Sequence, residues 1–485
     1  MMTKYPYLRQ DFLASIVVFL VAVPLCVGVA VASGVPAELG LITGIVGGLV
    51  TGFLPGSSLQ VSGPAAGLTV LVFEAVSEFG VGTLGVIVLM AGLLQLAMGF
   101  FKIGRWFRAI SVSVVEGMLC GIGLVIIAGQ IYAAAGLKAP STGIGKIAGL
   151  PGAFADALGN TAALASLAIG AGTIAVIVLW KKLPKAMQSV PGALAAVVLA
   201  TVASLAFNLP VATVTVEGLF GVIQVPGAAA FGELVSPAIW GTIVAFALIA
   251  SAESLFSAAA VDRLHDGPRT EYNKEMVAQG VGNTVCGLLG ALPMTAVIVR
   301  SSANVNAGAR TKASRVLHGV WILLFAAALP SALALVPIPA LAGILVHAGW
   351  KLIPFRQISA LWRSHKGEAL ILVVTAVSIV AVNMFEGVLI GLALSVAKTA
   401  WEASHLRTDV VDKGAGPIQV HLAGNATFLR LPKILDSLEA LPQDRPVELD
   451  LSGLHHLDHA CRTALENWAE RHSAVGTEPV RVTAA

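Results

Sequence analysis

Long apolar runs separated by short polar connections fill the first four-fifths of the chain. They fall near residues 12–32, 38–54, 64–78, 82–101, 111–134, 161–180 and 188–208. After a Val- and Gly-rich connection they resume near 237–261, 275–291, 296–308, 315–330, 333–350, 368–383 and 385–402. An α-helix crosses roughly 30 Å of hydrocarbon with about 20 apolar residues, and runs such as Leu84–Phe101 reach nearly that length without a charge. The pattern predicts an all-α membrane domain over residues 1–408, with 14 transmembrane segments in two sets of seven, at about 10–210 and 235–405. From about Asp409 the period changes. "IQVHLAG" and "PVELDLSG" alternate as strands do, and "LPKILDSLEAL" and "ACRTALENWAERH" carry apolar residues at helical spacing. Residues 409–485 therefore read as a small α/β domain, near the lower size limit for folding alone.

Composition agrees. Of 485 residues, 56% are hydrophobic and 12% charged, half the charged share of about 25% in soluble domains. A net charge of +3 with no basic stripe excludes nucleic acid as a partner. Cys26, Cys120, Cys286 and Cys461 stand singly, which gives neither a zinc site nor a disulfide framework. Lys4, Arg9 and the Ala30-Val31-Ala32 tripeptide resemble a cleavable leader. The intervening run is nearly a full span, contains Pro24 and leads straight into further spans, so a retained first helix is expected.

Basic residues set the orientation. Lys102/Arg105/Arg108, Lys181/Lys182/Lys185, Arg263/Arg269/Lys274, Arg310/Lys312/Arg315 and Lys351/Arg356/Arg363 fall in alternate connections. The opposite connections hold little beyond Lys138 and Lys146. This is the positive-inside asymmetry, and it predicts a multi-pass protein of the cytoplasmic membrane with both termini inside.

Each set of seven contains one broken segment: "VSGPAAGLTV" around Pro64, and "GALPMTAVIVRSSANVNAGA" around Pro293. Each proline lies about 50–55 residues after its set begins. Matched interruptions in two halves point to an inverted-repeat transporter with a midplane site. A helix beginning inside the membrane leaves its first N–H groups unpaired, and hydrocarbon offers them nothing. Two such ends meeting there present about +0.5 charge each, a place suited to an anion.

The chain also resembles the sulfate permease (SulP) family of anion transporters. The resemblance rests on "DFLASIVVFLVAVPLCVGVAVASGVPAELGLITGIVGG", "VSGPAAGLTVLV", "IASAESLFSAAAVDRLHDGPRTEYNKEMVAQGVGN", "RSSANVNAGARTKASRVLHG" and "ELDLSGLHHLDHAC". It implies two inverted seven-helix repeats with two half-helices, a core domain moving against a gate domain, a cytoplasmic STAS domain, and a homodimer.

Arg300 costs roughly 2.5–3.5 kcal/mol at the centre of a span and so needs a partner. It directly precedes Ser301 and Ser302 near the expected start of the second half-helix, and the resemblance places an anion-coordinating basic residue there in some members. The expected anion site adds Ala65, Ala66 and Gly67, where small side chains let backbone N–H groups approach, and the hydroxyl of Thr69. Glu253 is the second intramembrane charge, with Ser257 one turn further on; such a carboxylate marks an ion pathway or proton relay. The resemblance implies a coupling-cation site at these two positions, held in bicarbonate-transporting members by Asp and Thr around sodium. With Glu and Ser here, Na+ and H+ both stay open, as does a plain Glu253–Arg300 ion pair. Leu25 and Cys26 replace a usual polar residue of the family and predict an apolar cavity wall. Ser113 and Glu116 have capping-box spacing; Asp262 is expected to be solvated, and Glu74 to be solvated near the outer surface.

The function expected is secondary transport of a small inorganic anion, bicarbonate or sulfate, with no cofactor beyond a coupling ion. An anion channel or exchanger for chloride or dicarboxylates, and a nucleobase-type permease, are the alternatives. No HExxH, GxSxG or paired catalytic carboxylates support an enzyme.

Overall fold

A computed structural model describes residues 7–483 apart from 106–110, 141, 181, 185–186, 217, 220, 415 and 476–478. Lys4, Arg108, Lys181 and Lys185 lie outside the described residues. The chain divides into two compact units, Met1–Gly391 and Leu392–Ala485.

In the first half of the larger unit, α1 (Leu8–Ala32) and α2 (Ala37–Val46, continued as a π-helix through Gly47–Thr51) lead to β1 (Ser62–Pro64) and α3 (Thr69–Phe79). Then come α4 (Val81–Phe100), α5 (Val112–Ala134), α6 (Gly143–Ala148), α7 (Leu150–Leu158), α8 (Thr161–Trp180) and α9 (Gly192–Ala206). After the short α10 (Ala228–Gly232) the plan repeats with α11 (Pro237–Val261), α12 (Tyr272–Leu288), β2 (Met294–Ala296) and α13 (Ile298–Asn306). It closes with α14 (Ala313–Ala328), α15 (Pro330–Ala334), α16 (Ile338–Leu352), α17 (Phe355–Ser364), α18 (Lys366–Ala381) and α19 (Met384–Ala403), the last crossing into the smaller unit.

Each apolar segment read from the sequence coincides with a helix to within several residues. Seven described stretches are long and apolar enough to cross a membrane on their own, among them α1, α4, α5 and α11. Four described helices fall outside those segments: α6, α7, α10 and α17. None of the residues of α17 is buried, and it exposes Phe355 and Trp362 beside Arg356 and Arg363, the make-up of a helix lying in the membrane interface.

The helices pack in two groups. One gathers α1–α4 with α11–α14, α12 lying along α4 and α14 along α1; the other gathers α5, α8 and α9 with α16 and α18. Small residues make the α4–α12 contact: a methyl group at Gly92 would meet the Thr284 backbone nitrogen, and one at Gly280 the Leu96 nitrogen. Close approach through small residues is how membrane helices associate when burial against lipid gives no drive.

Three local expectations change. α5 begins at Val112 with Ser111 as its N-cap, so Ser113 and Glu116 already lie within the helix and form no capping box. Asp262 is buried rather than solvated, and its carboxylate accepts bonds from the Thr270 backbone N–H and hydroxyl. Arg315 leaves the connection for the interior of α14, where it donates to the Gly52 and Leu54 carbonyls at 3.0 and 2.9 Å.

In the smaller unit, β3 (Leu406–Val411), β4 (Ile418–Ala426), β5 (Val447–Leu457) and β6 (Arg481–Thr483) form a sheet in that order. The first pair is antiparallel and the other two are parallel. Alternate residues of β4 and β5, including Val420 and Leu449, pack with Ile434 and Leu438 of α20 (Leu431–Glu439) and Leu465 of α21 (His459–Val475). Within this unit Arg430 stacks 4.3 Å from the Trp401 ring and donates to the Ser404 carbonyl at 2.7 Å, tying the end of α19 to the sheet.

Candidate functional site

The broken segments meet. β1 and β2 pair antiparallel, with Ser62 opposite Ala296, Gly63 opposite Thr295 and Pro64 opposite Met294. Backbone groups that hydrocarbon cannot satisfy thus satisfy one another. Beyond the pair, the Val297 N–H donates to the Val61 carbonyl at 3.0 Å, and the Val61 N–H donates to the Ser301 hydroxyl at 2.9 Å.

The crossing is held from behind by a polar stripe on α12 that sequence reasoning missed. Asn283 binds the backbone of Met294 on both sides, accepting from its N–H at 2.7 Å and donating to its carbonyl at 3.1 Å. It also donates to Gln95 of α4 at 2.7 Å. Gln279 donates to the Ser62 hydroxyl and to Glu275, both at 2.8 Å, while Glu275 accepts the Ser57 N–H at 2.7 Å. Glu275, Gln279 and Asn283 recur every fourth residue in "EMVAQGVGN". That spacing puts them on one helix face, and it was the available signal.

A half-helix leaves each strand. A single 3₁₀ turn (Ala66–Leu68) leads into α3, and α13 starts at Ile298; neither has a side-chain cap on its first N–H groups. Arg300 is the third residue of α13 and is 0% exposed. Its Nη2 donates to the Pro64 carbonyl at 3.2 Å, while its Nε and Nη1 meet no oxygen or nitrogen partner among the described residues. The Cys26 thiol lies beside it. Glu253 faces the other half-helix, with Oε2 also unpartnered, and no hydrogen bond or ion pair joins it to Arg300 among the described residues.

The glycines of "SGPAAG" explain themselves here. A methyl group at Gly63 would occupy the position of Arg300 Nη1, and one at Gly67 would sit 2.7 Å from Glu253 Oε1. Each glycine makes room for one charged side chain. Gly63→Ala should therefore displace Arg300 at an overpacking cost of about 1–3 kcal/mol, and an anion-dependent thermal shift on the purified variant should shrink with it. A full-size shift in Gly63→Ala would mean that the guanidinium does not need this position.

Both half-helix starts open on one cavity of about 720 Å³, whose wall includes Ala66, Gly67, Glu253, Ser257 and Arg300. The wall also takes in Glu116 near the start of α5, Arg263 just past the end of α11, and His347 and Lys351 near the end of α16. Leu25 faces the cavity, while Cys26, the next residue on α1, is turned behind Arg300 and is fully buried. Ala65 and Thr69 are buried off the cavity wall, the Thr69 hydroxyl unpartnered. Ser301 spends its hydroxyl on Val61 and the Val297 carbonyl, and Ser302 on the Val299 carbonyl. The arrangement brings Arg300, Glu253, Ser257, Ala66, Gly67 and Leu25 together around one space and leaves Ala65, Thr69, Ser301, Ser302 and Cys26 as its supports.

The model of the sulfate permease family matches residues 8–375. The putative sulfate transporter YvdB of Bacillus subtilis is 28% identical over 479 residues, covering 96% of this chain and 89% of that protein. The bicarbonate transporter BicA of a Picosynechococcus strain is 26% identical over 504 residues, covering 96% and 86%. Among solved structures, the murine Slc26a9 anion transporter in its inward-facing state superimposes with a TM-score of 0.79 at 19% identity, over 98% of this chain and 84% of that one. The transmembrane domain of a cyanobacterial BicA gives 0.67 at 22%, over 80% and 97%.

Proposed function

Because this chain belongs to the sulfate permease family, a family of multi-pass membrane transporters rather than enzymes, we propose that it moves sulfate or bicarbonate by alternating access, driven by a coupled cation. The observation that carries the reading is Arg300: a fully buried guanidinium, two of its nitrogens without an oxygen or nitrogen partner among the described residues, at the start of one half-helix and on the same cavity as the start of the other. Those donors, and uncapped helix starts worth about +0.5 charge each, suit a small anion as their acceptor. The relatives' names point to sulfate and bicarbonate as the anions. A carboxylate-bearing nucleobase site does not fit a guanidinium at this place.

The coupling cation, Na+ or H+, belongs at Glu253. The Glu253 carboxyl, the Ser257 hydroxyl on the same wall and the Thr295 hydroxyl beside the carboxyl supply oxygen donors only. By the positive-inside asymmetry, both termini lie in the cytoplasm of a cell-membrane protein, and the side of the cavity lined by Arg263 and Lys351 opens inward. The smaller unit takes the part of a STAS domain in a homodimer. Uptake of labelled sulfate and bicarbonate into proteoliposomes tests the substrate: saturable uptake of one of them is expected, and none of either would overturn the reading.

Removing the chain after Arg407 deletes the sheet of the smaller unit while sparing the site. The truncated protein should insert and bind anion, with slower transport or weaker dimers by light scattering. Parental rates and parental dimers would leave the sheet without a part in either.

A further inference from the structure

Lys146 is a buried cation that the anion site does not use. It sits on α6, is 5% exposed, and places Nζ 4.7 Å from the centre of the Phe73 ring. Its backbone carbonyl accepts a bond from the Tyr132 hydroxyl at 2.9 Å, which fixes α6 against α5. Glu74, the neighbour of Phe73 on α3, is half-buried, and its charge and that of Lys146 attract one another. Glu74 is expected in solvent; in the structure it is half-buried, next to the ring on which Lys146 sits.

The location gives this contact its meaning. α3 packs in the group built on α4, whereas α6 packs on α5 in the other group. The Lys146 contact therefore joins the two helix groups. It does so beyond the crossing: Glu74 lies five residues along α3 from Thr69, about 7–8 Å further on at helical rise. An ammonium buried on an aromatic face, with a half-buried carboxylate on the residue next to that ring, is a contact that must be intact or fully broken, because desolvating either charge alone is costly.

We propose that Lys146, Phe73 and Glu74 form the outer closure of the transport pathway, made while the cavity is open to the cytoplasm and broken when it opens outward. This rests on the alternating-access reading above. A bond made in one state only biases the equilibrium toward that state by its full worth, so weakening it moves molecules to the outward-open form.

Leu25→Cys supplies the probe, since Leu25 is on the cavity wall without donating to the anion and the four native cysteines are buried. Membrane-impermeant maleimide is applied to right-side-out and to inverted vesicles. In the Leu25→Cys parent, labelling should come chiefly from the cytoplasmic face. Adding Lys146→Gln, or the near-isosteric Glu74→Gln, should raise outer-face labelling about fivefold or more. The exchange Lys146→Glu with Glu74→Lys should bring it back toward the parental level. Unchanged outer labelling in both single variants overturns the closure. If anion and ion gradients never move labelling between faces in the parent either, alternating access itself fails, and the two failures are told apart by that control.

Discussion

Arg300→Ala is expected to bind its anion about 1.5–3 kcal/mol more weakly, the worth of a charge-assisted hydrogen bond, or roughly 10- to 150-fold in Kd. The protein should still fold. The side chain donates to the Pro64 carbonyl and lies beside the Cys26 thiol, and the cost of losing those contacts is offset by no longer burying a guanidinium with two poorly matched nitrogens. The β1–β2 crossing has its own supports in Asn283, Gln279 and Ser301, so the half-helix starts keep their places. Anion-dependent thermal shifts on purified protein would measure the loss. Arg300→Lys is the control that separates charge from geometry: it keeps the cation but loses the planar fork, and should fall between the two. If Arg300→Ala keeps parental affinity, the residue is structural and the anion binds elsewhere.

The second large effect belongs to Glu253. Two half-helix starts contribute about +1 together, Arg300 adds +1, and an ionised Glu253 subtracts 1. A proton or sodium ion at Glu253 raises the local charge from about +1 to about +2, which suits a doubly charged anion better than the starting state does. Anion affinity must rise with cation binding, and by linkage the anion tightens the cation by the same factor. Glu253→Gln holds the neutral state permanently. It should therefore bind anion at least as tightly as the parent and lose its response to the driving gradient. Gradient-driven uptake across roughly pH 5–8, with sodium present or absent, shows which cation couples. A mutant that still follows the parental gradient would remove Glu253 from coupling.

Much of this was legible in the chain. Helices longer than a dozen apolar residues announce themselves, and so did the paired breaks, because Gly and Pro interrupt two otherwise apolar runs at matching places. Arg300 and Glu253 stood out because charge inside a span is expensive. What could not be read were relations between residues distant in sequence. Nothing near Ser62 says that it faces Ala296, so the β-crossing was invisible, and so was the use of Gly63 and Gly67 as room for charges that arrive from α13 and α11. Leu25 and Cys26 were treated as one wall, yet neighbours on a helix point about 100° apart, and only Leu25 reaches the cavity. The capping box failed because the helix start was set by Ser111, two residues ahead of the serine whose spacing fitted. Glu74 and Lys146, 72 positions apart in the numbering, acquire a relation only when the two helix groups pack.

The claim that the crossing of β1 and β2 holds the transported anion is tested most directly by an experimental structure determined at a saturating concentration of whichever anion the uptake assay selects. The account predicts anion density at the uncapped starts of α3 and α13, with the Arg300 side chain turned so that Nε and Nη1, buried in the present state, meet it at about 3 Å. Anion density seated elsewhere in the cavity, with those two nitrogens still unmatched, would contradict it.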